Sequence, residues 1–290
     1  MKVTPLNEAA PRPRRVAVGE FDGVHLGHRE VIRGADTVLT FDPHPMAVIH
    51  PEATPRLLTS TPVKADLVAS LAVQEMVVIE FDAEFARRSP EDFVADVLVE
   101  RLCCTHVSVG ENFRFGHRAG GDVALLAARP EFETRVAPLV EFQGEIVSSS
   151  HIRGLVLAGE VVAAAGFLGA PFQLRGPVVP GDRRGHELGF PTANLVPDDA
   201  LVYPSHGVYA CRAGEHAAAV NVGVRPTFDT GRGVLIEAHL LDFDRDLYDR
   251  ELRLEFLARL RGERRFDTVE GLVEQMARDV EAARAVCSQA

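Results

Sequence analysis

Arg15–His28 reads RVAVGEFDGVHLGH. Arg15–Phe21 is a short apolar run of strand character, and DGVHLGH is a glycine-rich turn leading into a short helical piece. A strand passed through such a turn into a helix is the opening of a βαβ unit, whose ligands gather at the carboxyl ends of parallel strands. The HxGH spacing sends His25 and His28 toward one point. Gly27 between them lets a phosphate approach backbone amides that have no helical partner. Two solvent-facing histidines, or a metal pair, would also explain HxGH alone; its place directly after the first strand favours the phosphate reading. Gly19, Phe21 and Gly27 are therefore candidate binding residues, and His25 and His28 candidate catalytic ones.

Outward from this segment, strand and helix patterns alternate. Thr37–Phe41, Glu75–Phe81, His106–Gly110 and Thr134–Phe142 read as strands. Helices are expected from about Pro62, from Ser89-Pro90-Glu91-Asp92 to about Leu102, and from Ser148-Ser149-Ser150 to about Leu168. The spacing predicts a parallel sheet. From Gly169 the rhythm changes: Phe172–Val179, Gly207–Ala213, Ala217–Val224, Val234–Phe243 and Glu251–Leu260 read as strands with no helix between them. A closing helix from about Thr268, boxed by Asp267 and Glu270, follows. That pattern predicts a small antiparallel β-barrel covered by a C-terminal helix. The expected domains are 1–168, Rossmann-like α/β, and 169–290, β.

Composition narrows the function. Lys+Arg minus Asp+Glu is 31 − 42 = −11, which argues against nucleic acid or an anionic membrane as partner and leaves small phosphorylated ligands open. The four cysteines include an adjacent pair and no CxxC spacing, so neither a disulfide framework nor a structural zinc site is expected. MKVTPLNEAAPRPRR has no apolar signal-peptide core, and no apolar run is long enough for a membrane span; the chain reads as cytoplasmic.

Three further segments can carry chemistry. Ser148-Ser149-Ser150-His151-Ile152-Arg153 combines hydroxyls at a helix start with a guanidinium one turn in, a second phosphate grip formed by Ser149, Ser150 and Arg153; simple N-capping is the plainer explanation. Gly110–His117, GENFRFGH, is a loop where Phe113 or Phe115 could stack on a ligand, although loop aromatics are more often buried. Gly181–Asn194, GDRRGHELGFPTAN, sets Gly181, Gly185 and Gly189 in a basic flap before Thr192 and Asn194. Their oxygens suit Mg²⁺, which takes few protein ligands beside substrate phosphates.

FDGVHLGH, TFDPHP, FARRSPEDFV, VGENFRFG and SSSHIR resemble the adenylyltransferase half of the bacterial bifunctional riboflavin kinase/FAD synthetase family. RGPVVPGDRRGHELGFPTANL, Gly207-Val208-Tyr209, NVGVRPTF and IEAHLLDFDRDLYDRELRLEFL resemble its kinase half. The likeness runs in order from about residue 15 to the end. It implies ATP-dependent conversion of riboflavin to FMN by the C-terminal module and of FMN to FAD plus pyrophosphate by the N-terminal one, with Mg²⁺. It implies Glu237 as general base, Thr192 and Asn194 on Mg²⁺–ATP, Asn221 beside the flavin, and Asn112 near the nucleotide. His25 and His28 would contact phosphates while Ser149, Ser150 and Arg153 hold pyrophosphate. Partners are expected to be small molecules, with a homo-oligomer left open. Arg29–Leu39 is shorter than the family's usual crossover. Ser150 stands where the family commonly has Thr, and Ile146 where some members carry Arg. The short crossover motivates an alternative: a riboflavin kinase with a weakened N-terminal domain.

Overall fold

The computed structural model describes residues 1–290 except 181–189, 197, 226–232, 246, 248, 249 and 290. The chain divides into two compact units, Met1–Ser149 and Ser150–Ala290. No helix among the described residues is long and apolar enough to cross a membrane.

The first unit is built on a six-stranded parallel sheet. Its strands are β1 (Lys2–Pro5), β2 (Arg14–Val18), β3 (Thr37–Asp42), β4 (Glu75–Glu80), β5 (Cys104–Gly110) and β6 (Glu133–Ala137). The spatial order is β1-β4-β3-β2-β5-β6. The chain thus winds one way from β2 and the other way from β5, which puts a topological switch point between those two strands. Alternate residues feed two cores. Val16, Val18, Leu39, Val77 and Val107 fill one face; Ala17, Val38 and Met76 fill the other. The β2–β3 crossover closes with α1 (Leu26–Ile32), seven residues or about two turns. Other helices are α2 (Pro45–Ile49), α3 (Thr61–Ala69) and α4 (Pro90–Asp92), the last running directly into a π-helix, Phe93–Arg101. A short α5 (Val123–Ala127) precedes β6. The segment expected as one strand, Thr134–Phe142, is instead β6 and a two-residue β7 (Glu141–Phe142), which hairpins onto β8 (Glu145–Ile146). Proline, positioned between β6 and β7 at Pro138, lacks the ladder donor a continuous strand needs.

β1 lies outside the alternation and was not legible as a sheet member. It is tied in by a hydrogen bond: Glu75 of β4 accepts from Thr4 Oγ1 at 2.8 Å, and the same carboxylate accepts from Arg12 and Arg14 Nη2, each at 3.1 Å. Arg14 is 1% exposed, so this pair is deeply buried.

In the second unit, the expected single helix to Leu168 is two, α6 (Ser149–Ala158) and α7 (Val161–Leu168). They break at Gly159, φ +82°, a conformation that favours glycine. Six antiparallel strands then close a barrel in the order β10-β13-β12-β11-β14-β9. These are β9 (Phe172–Val179), β10 (Ala193–Leu195), β11 (Gly207–Ala213), β12 (His216–Arg225), β13 (Gly233–Leu240) and β14 (Glu251–Arg261). Leu174, Val220, Ile236, Ala238, Leu254 and Phe256 are among its buried core. α8 (Val269–Cys287) is capped by Thr268, whose side chain accepts from Gly271 N at 3.1 Å, rather than by Asp267. Arg261 forks onto buried Asp279 of α8, with Nε–Oδ1 at 3.0 Å and Nη2–Oδ2 at 2.7 Å, fastening helix to barrel. The four cysteines are free.

Candidate active sites

In the first unit, the turn after β2 is held in an unusual backbone path. Phe21 and Val24 adopt φ of +52° and +45°, and Gly23 +86°. Asp22 fixes this path. Its buried carboxylate accepts from Leu58 N at 2.8 Å and Thr59 N at 3.0 Å, and Thr59 Oγ1 accepts in turn from Gly23 N at 3.1 Å. Asp22 is thus a structural anchor that the motif reading passed over. His25 then caps α1: its Nδ1 accepts from His28 N at 3.2 Å. With Nδ1 an acceptor, the neutral ring carries its proton on Nε2, which becomes its donor.

The imidazoles of His25 and His28 stack, centroids 3.5 Å apart and planes at 16°. Phe21 sets its ring edge-on to His28 at 5.4 Å. A side chain on either side of this stack would crowd it. A Cβ at Gly27 would lie 3.2 Å from His25 Cε1, and one at Gly19 would lie 3.0 Å from Phe21 Cζ. Burial pushes His25 down to about 4, and burial, with the nearby His25 and Lys64, pushes His28 well below the ordinary histidine range. Both rings are neutral hydrogen-bonding groups at neutral pH. Ser149 Oγ, at the end of the first unit, donates to Asp22 O at 2.9 Å.

These residues open onto a cavity of about 1070 Å³. Ligand sites run to roughly 300–1,000 Å³, so this one is at the upper end of that range. Gly19, Phe21, His25, Gly27, His28, Asn112 and Ser149 all line it. Ser150 and Arg153 are not among the lining residues; they sit on the first turns of α6, with Arg153 Nη2 donating to Ser150 Oγ at 3.1 Å. Phe113 lines the cavity half-buried and stacks on Phe115, 5.5 Å away at 17°. Phe115 itself is 7% exposed and packs into the core against Phe93.

The cavity also holds cations the motif reading missed. Arg87, Arg88, Arg114 and Arg118 all line it. Arg88 pairs with Asp96 at 2.8 Å and Arg114 with Asp122 at 3.4 Å, whereas Arg87 and Arg118 have no ion-pair partner among the described residues. Their two loops are stitched together by His117 N, which donates to Arg88 O at 2.8 Å. The sequence signal was the unusual density of arginine in FARRS and FRFGHR of an otherwise acidic chain.

In the second unit the barrel register lines up three predicted residues. Asn194 of β10 pairs with Glu237 of β13, which pairs with Asn221 of β12. Asn221 Nδ2 donates to Glu237 Oε2 at 3.3 Å. Val220, Val222, Ile236 and Ala238, on the alternate pleat, are fully buried inside the barrel, so the polar row lies on its outer face. That face is covered locally. Asn194 is only 6% exposed, His239 Nδ1 lies 2.8 Å from Pro191 O, and Phe190 packs edge-on to His239. Thr192 precedes Asn194 by two residues, the extended-chain spacing that returns a side chain to the same face. A second carboxylate stands close by: a Cβ on Gly223 would lie 3.0 Å from Glu263 Oε1 and 3.4 Å from Asn221 Nδ2. Gly181, Gly185 and Gly189 lie outside the described residues.

Among the described residues no group of three or more His, Cys, Asp or Glu could hold a metal. A hydroxyl and an amide oxygen beside a carboxylate do fit Mg²⁺, a hard cation that completes its shell with water and substrate phosphate.

Comparison with known proteins follows this division. Residues 7–151 match the FAD synthetase family and residues 168–287 the riboflavin kinase family. The bifunctional riboflavin kinase/FMN adenylyltransferase of Listeria monocytogenes is 36% identical over 287 residues, 93% of this chain and 91% of that protein. The proteins of the same name from Bacillus subtilis and Escherichia coli K12 are each 34% identical, covering 92% and 96% of this chain and 90% and 94% of theirs. A solved structure described as a macrolide-efflux protein from Streptococcus pneumoniae superposes with a TM-score of 0.87 at 29% identity, covering 98% of this chain and 99% of that one.

Proposed function

The chain belongs to the bifunctional riboflavin kinase/FMN adenylyltransferase family, and from this premise we propose which residues perform each of its two reactions. It uses ATP to phosphorylate riboflavin to FMN, and a second ATP to convert FMN to FAD with release of pyrophosphate. We assign the second reaction to residues 1–168 and the first to 169–290.

For the kinase reaction, Glu237 takes the proton of the ribityl 5′-hydroxyl as that oxygen attacks the γ-phosphorus and ADP leaves. Asn221, bonded to one carboxylate oxygen at 3.3 Å, holds Glu237 in orientation while the other oxygen stays available for the substrate. Thr192 and Asn194 would hold Mg²⁺ with the ATP phosphates. The ion supplies charge neutralisation at the transferring phosphate.

For adenylyl transfer, an oxygen of the FMN phosphate attacks the α-phosphorus of ATP and pyrophosphate departs, so no side-chain nucleophile is needed. The neutral imidazoles of His25 and His28 act as hydrogen-bond donors to the phosphates where charge builds. Ser149 contacts the leaving pyrophosphate; Gly19, Phe21 and Gly27 shape the cradle; Asn112 contacts the nucleotide. Arg87 and Arg118 add the positive charge that two polyanionic substrates require. The stacked, neutral histidine pair opening onto a large cavity is the observation that carries this assignment. The substrates are small molecules, and we place the enzyme in the cytoplasm, where ATP is at hand. Chromatography of a reaction started from riboflavin, Mg²⁺ and ATP tests the reading: FMN should rise first and FAD after it. Failure to form FAD from added FMN would reject the first assignment, and failure to form FMN the second.

A further inference from the structure

Glu20 directly follows Gly19 and stands in the wall of the cavity with His25 and His28. Its Oε1 is sealed from solvent and has no hydrogen-bond partner. The charged groups that face it are Lys64 of α3, Asp22 of its own turn and Asp42 at the end of β3. The two aspartates are provided for: Asp22 by the amides of Leu58 and Thr59, Asp42 by Thr61 Oγ1 at 2.7 Å. Lys64, 4% exposed, donates to Thr40 Oγ1 at 3.2 Å, and that hydroxyl donates on to Glu20 O at 3.1 Å. The α1 side contributes only the two neutral imidazoles. Glu20 is therefore the carboxyl of this cluster whose enclosed oxygen lacks a donor, and such a group is more stable as acid than as anion.

Resting on the adenylyl-transfer reading of this cavity, we propose that Glu20 is a positioning residue of FAD formation that works as a neutral acid. With its proton in place, the charge of Lys64 is offset by Asp22 and Asp42 but not by Glu20 as well, so more of it reaches the phosphate cradle. With the proton gone, a carboxylate stands in the low-dielectric wall where ATP and the FMN phosphate, both polyanions, must settle. Burial is the main force on this group; Lys64 pulls the other way, Asp22 and Asp42 add to it, and the carboxyl is pushed up to about 8.

The test is the pH profile of kcat/KM for FAD formation from FMN and ATP, with FMN formation from riboflavin by the same preparation as reference. The wild-type value should fall about tenfold between pH 7 and pH 9, carried by KM. Glu20→Gln cannot ionise; it should start about threefold lower at pH 7 and lose that alkaline limb, while its FMN formation keeps the wild-type profile and reports an intact fold. A limb that persists in Glu20→Gln belongs to Lys64 or the substrates and overturns the proposal, as does a wild-type profile flat from pH 7 to 9. Loss of FAD formation at every pH in a variant that still makes FMN overturns it too, since an amide should replace a neutral acid. If the variant does not fold, the wild-type infrared spectrum decides: a protonated-carboxyl band at pH 7 that disappears as pH passes 8 supports the proposal, and its absence at pH 7 refutes it. A wild-type chain that makes FMN but no FAD at any pH removes the cavity reading itself, and this inference with it.

Discussion

The general base and the histidine stack make opposite demands on a side chain, and substitution separates them. Glu237→Gln keeps the hydrogen bond to Asn221 but cannot take a proton, so FMN formation should fall about 10²–10⁴-fold while riboflavin still binds. Flavin fluorescence titration with product chromatography checks both halves; wild-type turnover would remove Glu237 from its role. His28→Ala removes one of the two stacked rings, and FAD formation should drop about a hundredfold with FMN formation unchanged. The buried imidazoles also shape stability. His25 binds its proton near pH 4 in the folded chain and near 6.5 unfolded, so between those values the unfolded state holds more protons. Stability should therefore decline as pH falls from 6.5 toward 4, and His25→Asn should flatten that decline in urea titrations. HxGH could be read as a phosphate motif from its spacing together with its place directly after the first strand. That the rings are neutral could not, because depth of burial is set by residues such as Phe21 and Val147 that only packing brings around them.

Secondary elements were legible where periodicity and breakers agreed. Phe172–Val179 and Gly207–Ala213 form as expected, since alternating apolar residues and flanking turns leave one solution. Three elements escaped that logic. β10 is only three residues of PTAN's continuation, too short to show a period, and becomes a strand because β9 and β13 offer their edges to it. The Phe93–Arg101 segment has a helical apolar pattern, but pattern does not distinguish α winding from π winding. β1 has no alternation to read and is secured by its ladder to β4 and by Thr4 Oγ1 donating to Glu75, the carboxylate that buried Arg14 of β2 also holds. Removing one partner leaves a charge stranded in the interior, so Glu75→Ala should cost about 3–5 kcal/mol, read as a lower urea midpoint. A destabilisation below 1 kcal/mol would show that the sheet holds by its backbone ladders without this side-chain cluster.

At the scale of the molecule, two reactions on one chain should remain separable. Fed riboflavin and ATP, His28→Ala should stop at FMN; Glu237→Gln should make FAD only when FMN is supplied. If either substitution impairs both steps equally, the two-site assignment fails. Much of this arrangement followed from the order of residues. The change from alternating strands and helices to strands alone marks a parallel α/β unit followed by a barrel, because each period can bury its apolar face in only one way. FDGVHLGH and PTAN likewise carry their chemistry locally, in glycines and oxygen donors a few residues apart. Tertiary structure decided what depends on distant segments meeting: the Asn194–Glu237–Asn221 row across three strands, the arginines gathered from two loops, and the enclosure of Glu20 beside Lys64. Charge state and orientation are consequences of desolvation and register, and neither exists until the chain has closed on itself.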